Sequence, residues 1–136
     1  MVKKTKRVSI DKAQAENYLI IAKDFYKGAK ASMEQQSWNA AGVLIVHSAI
    51  AFADTINIKY GGVKSRGDNH LEIITILEEI VSSSEKNKKA LHQLYRLIDH
   101  KNAVSYSGNI YKEKDIEQLW KYLHRFKDWI NTVIEK

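Results

Sequence analysis

The sequence predicts an all-α antiparallel up-and-down bundle of four to five helices, and three observations carry that reading. The 136 residues contain no proline and only six glycines, so little interrupts a helix or punctuates a strand. Apolar side chains recur at helical spacing through most of the chain, and no stretch alternates with the period of a strand. Residues 38–53 carry no charged side chain, and a helix apolar on nearly every side belongs at the centre of a bundle. A single domain, 1–136, holds these helices. Residues 1–9 read as a flexible basic tail.

The first helix is expected over about 11–33, capped by Ser9 or Asp11, with Ala15, Tyr18, Leu19, Ala22, Phe25, Tyr26 and Ala29 in one stripe. Ser37 caps the second, about 38–60, and Gly61-Gly62 end it. Asp68 or Asn69 caps the third, about 70–81, with Leu71, Ile74, Leu77 and Ile80 or Val81 facing inward. Ser82-Ser83-Ser84 breaks the chain, and Ser84 caps a fourth helix to about residue 102. Its inward face is Ala90 or Leu91, Leu94, Tyr95, Leu97 and Ile98. After a loop at 105–109, a fifth helix runs from near Glu113 to the end. Its stripe is Ile116, Leu119, Trp120, Leu123, Phe126, Ile130 and Val133 or Ile134. There is no internal repeat.

Composition narrows the function classes. Without cysteine, disulfides and thiolate metal sites are excluded. No His–carboxylate pair has metal-site spacing, so neither metal nor cofactor is expected. The basic start lacks the apolar segment of a signal peptide. The uncharged run is short for a membrane span and includes Asn39, His47 and Ser48. A soluble cytoplasmic protein without membrane contact is therefore expected. The net charge of +6, from 22 cations against 16 acids, admits a polyanionic partner. Four of those cations, however, lie in the first seven residues.

Two regions concentrate polarity. Asp54 interrupts the apolar run, and the loop after it brings Arg66 and His70 back toward the helix end. A buried carboxylate demands a partner, so these three form either a small pocket or a structural clamp. The second region is Lys101-Asn102 with Tyr106 about one turn later: a cation, an amide and an aromatic hydroxyl suited to a phosphate backbone or a nucleotide. His70 and His100 are candidate acid–base groups, since imidazole titrates near neutral pH. His47 reads as a core histidine bonded to a backbone carbonyl. His92 and His124 read as surface residues. Tyr122 and Trp129 fall off the last helix's stripe and suggest a subunit interface.

Lys101-Asn102-Ala-Val-Ser-Tyr106, together with Asp54 and Gly62-Val-Lys-Ser65-Arg-Gly67-Asp-Asn-His70, resembles the HEPN superfamily of small prokaryotic helical domains, from about residue 17 onward. The resemblance implies a helical bundle that usually dimerises. It also implies either a metal-independent ribonuclease toxin paired with a nucleotidyltransferase-like antitoxin, or a non-catalytic module binding RNA or a nucleotide. Lys101 stands where nuclease members carry arginine, and Tyr106 where they carry histidine. Lysine lacks the bidentate grip of a guanidinium. Tyrosine, with an ordinary pKa near ~10, is a poor base at neutral pH. The expectation is a homodimeric, non-catalytic module whose bundle ends bind RNA, a nucleotide or a protein. The alternatives are a ribonuclease using Arg96, His100 and Tyr106, and an assembly protein without a ligand.

Overall fold

The computed structural model describes residues 6–67 and 70–135. It is an all-α bundle with one small two-stranded ribbon. Strand β1 (Arg7–Ser9) leads through a 3-10 turn (Lys12–Gln14) into α1 (Ala15–Glu34). Then follow α2 (Trp38–Gly61), β2 (Val63–Ser65), α3 (Leu71–Ile80), α4 (Glu85–Asp99), α5 (Lys101–Ser105) and α6 (Glu113–Ile134).

Helix α2 is the axle. Its residues from Ser48 to Ile58 are all buried, and α1, α3, α4, α5 and α6 all pack on it. By length and composition α2 is apolar enough to cross a membrane, yet 83% of its apolar window is buried within this fold. That is how the core helix of a folded domain sits. Small residues bring α1 close: Ala22 and Ala29 are fully buried, and the Ser48 hydroxyl donates to the Ala22 carbonyl at 2.8 Å. Phe52, Ile45, Ile56, Leu94, Leu119 and Phe126 fill the centre.

Local chemistry explains most boundaries. Asp11 accepts from the Ala13 amide at 2.9 Å and starts the 3-10 turn. Ser84 accepts from the Asn87 amide and caps α4. Asp115 reaches back to the Lys112 amide at 2.8 Å and holds the start of α6. Gly62, at φ +65°, ends α2 in the left-handed conformation that glycine adopts without strain. Ser37 precedes α2 but makes no side-chain cap bond.

Four expectations need correction. Arg7–Ser9 is not free tail: it pairs antiparallel with Val63–Ser65, Arg7 opposite Ser65. The Arg7 guanidinium also binds Glu72 and Glu79 of α3, so β1 is tied to two elements. Three-residue strands are too short to announce themselves by alternation. Next, the inward face of α3 keeps Leu77, Ile74, Ile80 and Val81 against the core but loses Leu71 and gains Ile73 and Ile76. Ile73, Ile76 and Leu77 are buried, whereas Leu71 is 56% exposed. Adjacent isoleucines and leucines along α3 make both faces apolar, so period alone does not choose between them. Third, the helix predicted over 85–102 breaks at His100 and resumes as α5, while Tyr95 on α4 is exposed. Last, Trp129 is only 5% exposed. It stacks on Phe126 and donates its indole N–H to Asn87 Oδ1 at 2.8 Å. It therefore joins α6 to α4 within the chain. The caps proposed at Asp68 and Asn69 lie outside the described residues.

Gly42 sets how near α5 lies to α2. A Cβ there would meet Val104 Cγ1 at 2.8 Å and Ile116 Cδ1 at 3.3 Å. Gly42→Ala gains about 1 kcal/mol of helix propensity but overpacks a contact of the kind that costs about 1–3 kcal/mol. We expect a net loss of about 1 kcal/mol in chemical denaturation, with the α5 resonances shifting most in NMR spectra.

Candidate functional sites along helix α2

The six candidate binding residues fall into two groups on opposite halves of α2. Gly42 touches α5, and Asp54 lies twelve residues further along, a rise of about 18 Å. Lys101, Asn102 and Tyr106 gather at one end. Asp54, Arg66 and His70 belong to the other.

At the first end, α5 presents an exposed Asn102 and a half-buried Lys101. The Lys101 ammonium lies 6.0 Å from the centroid of the Tyr106 ring, at the outer reach of a cation–π contact. Tyr106 is 79% exposed, so its face is open to a stacking partner. The loop holding it is clamped by a residue the sequence reading passed over. Asn39, in the first turn of α2, donates to the Asn109 carbonyl at 2.9 Å and the Val104 carbonyl at 3.4 Å. It also accepts from the Tyr111 amide at 2.8 Å. Its one sequence-level signal was an amide in an otherwise apolar run. Asn39→Ala removes all three bonds and should cost about 1–2 kcal/mol. Hydrogen exchange should show faster exchange at the Tyr111 amide. Asn39→Asp keeps the acceptor for that amide and should preserve part of its protection.

Among the described residues, His47 makes no hydrogen bond to a backbone carbonyl, contrary to expectation. It is half-buried, with its ring edge-on to Phe25 at 6.2 Å. Burial, and then the positive charge of Lys101, lower its pKa. The fold thus brings the His47 imidazole into the field of Lys101. Nothing in the local sequence links residues 47 and 101, and Lys101 acts on His47 only because α5 packs on α2.

The alternative trio is distributed rather than gathered. Arg96 donates from Nε to His92 Nε2 at 3.0 Å and lies over the Tyr122 ring. His100 Nδ1 bonds the Tyr111 hydroxyl at 2.7 Å. Burial raises the pKa of Tyr111, with Asp115 and Asp99 adding to the effect. Tyr106 keeps company with Lys101 instead. His92 and His124 are exposed. Tyr122 is half-buried beneath Arg96.

At the second end, Asp54 is 5% exposed and its Oδ1 has no hydrogen-bond partner among the described residues. Burial pushes its pKa up to about 7, and the positive charge of Lys64 opposes that rise. No Asp54–Arg66 ion pair forms among the described residues. Arg66 is exposed, and its backbone amide donates to the Lys6 carbonyl at 2.7 Å, extending the ribbon. His70 stands half-buried at the start of α3. One turn from Asp54, Asn57 donates to the Ile73 carbonyl at 3.3 Å while its own Oδ1 is buried without a hydrogen-bond partner among the described residues. Asp54 Oδ1 and Asn57 Oδ1 are thus two buried acceptors about one turn apart on α2.

Among the described residues, no group of three or more histidines or acids is placed to hold a metal ion. Comparisons with protein-family models, with curated proteins and with solved structures find no match to this chain.

Proposed function

We propose that this chain is a non-catalytic, HEPN-like helical module that acts as a cytoplasmic homodimer and binds RNA at the end carrying Lys101, Asn102 and Tyr106. The observation that carries this reading is the exposed Tyr106 ring beside the Lys101 ammonium. A ring face stacks an unpaired base while a cation meets the phosphate next to it. The exposed Asn102 amide adds a donor and an acceptor. Lysine and tyrosine supply charge and stacking but little proton transfer at neutral pH. The nearby His100 has its Nδ1 engaged by Tyr111. A nucleotidyltransferase-like protein is the partner class that the family resemblance implies.

One observation favours a second reading, a metal-independent ribonuclease: the imidazole of His47, with its lowered pKa, lies within the field of Lys101. A short fluorescent RNA in EDTA separates the two. Under the proposal the RNA stays intact, and Lys101→Ala and Tyr106→Ala each weaken binding by about tenfold, the loss of ~1.4 kcal/mol. Affinity also falls steeply as salt rises from 50 to 200 mM. Cleavage that disappears in His47→Ala establishes the nuclease instead. A flat salt response with no binding leaves an assembly role. Light scattering on the eluting protein should give twice the 15.7 kDa chain mass. A monomer would remove the dimer from the proposal.

A further inference from the structure

The lateral groove between α4 and α6 belongs to neither bundle-end site, and its chemistry is distinct. Two adjoining hollows of about 350 and 540 Å3 share Lys89 and Gln93 and so form one continuous furrow. Its walls carry Lys86, Lys88, Lys89, Arg96 and Arg125 against a single carboxylate, Asp128. None of the five cations makes an ion pair among the described residues. Lys86, Lys89, Gln93 and Arg96 follow one another at helical spacing, a row about 15 Å long on α4. At one end the Arg96 guanidinium lies 5.8 Å from the centroid of the Tyr122 ring. Unneutralised like charges lined up along a groove raise its positive potential and stabilise nothing by themselves.

We propose that this furrow is a second binding site, which takes the sugar–phosphate backbone of single-stranded nucleic acid. The row of cations meets successive phosphates, and the Arg96–Tyr122 pair offers a flat, charged ledge on which a base stacks. That ledge favours nucleic acid over an acidic peptide, which supplies charge but no ring to stack. The site uses none of the residues of the Lys101–Tyr106 end, so it stands or falls separately.

The test measures binding of a fluorescent oligouridine across a salt series. It compares the intact protein with the Lys89→Gln/Arg96→Gln double variant, with Tyr122→Leu, and with Lys101→Ala/Tyr106→Ala. Circular dichroism confirms that each variant is folded. The double variant should bind at least about tenfold more weakly, with a log–log salt slope smaller by about 1.4, or ~0.7 for each lost phosphate contact. Tyr122→Leu should weaken binding by about tenfold with the slope unchanged. An unaltered slope and affinity in the double variant overturn the proposal. So does competition by polyglutamate as effective as that by oligouridine at equal charge. Should the groove variants fail to bind while Lys101→Ala/Tyr106→Ala binds normally, the furrow stands and the bundle-end reading falls. The reverse pattern sinks the furrow alone.

Discussion

At pH 8 the Asp54→Asn variant should melt roughly 10 °C above the unaltered protein, and at pH 4 the two should melt together. The folded-state pKa of Asp54 rises from 3.8 to about 7 because the carboxyl is buried. In the unfolded chain the group ionises near its ordinary value. Between pH 4 and 7 the folded state therefore holds a proton that the unfolded state has released, and stability falls as pH rises through that window. Above about pH 7 the penalty is complete, at about 4 kcal/mol, which for a chain of this length moves the melting point by roughly 10 °C. Asparagine keeps the shape and never ionises, so the variant escapes the penalty. A parallel pH dependence of the two melting curves would show that Asp54 titrates at its ordinary value. Carbon-13 titration of the carboxyl would measure its pKa directly.

Phe52→Ala should cost about 3–5 kcal/mol, a large share of the ~5–15 kcal/mol that holds a typical domain together. The ring is fully buried in the middle of α2, the helix against which every other helix packs. Truncation there leaves a cavity bordered by several elements that cannot all collapse into it at once. Urea denaturation measures the loss directly, and a fall in the slope would mean that the native state has loosened as well. A cost below about 1.5 kcal/mol would mean that α2 is packed less tightly than its burial indicates.

Much of the architecture was legible because it rests on long periodic segments. The charge-free run of α2 announced its own burial, and Asp11, Ser84 and Gly62 marked element ends through local chemistry that needs no tertiary context. What escaped depended on distant partners. The β1–β2 pairing joins the chain's start to the residues after α2, and the inward face of α3 was ambiguous because both of its faces are apolar. The candidate site divides in the same way. Lys101, Asn102 and Tyr106 are close in sequence, so their grouping needs no tertiary information. Asn39 and His47 reach that end only through the packing of α2 against α5 and the loop after it. The furrow cations lie on α4 and α6, so no local window of sequence held them all.

The ribbon has a practical consequence for handling this protein. β1 is the strand partner of β2 and carries Arg7, which binds α3. Trimming the chain before Ile10 would remove the partner of Ser65 and undo the tether from Arg7 to α3. Proteases would then find the stretch between α2 and α3 first, so a cut near Ser65 in protein trimmed in this way should report the loss of β1 and leave the helices intact.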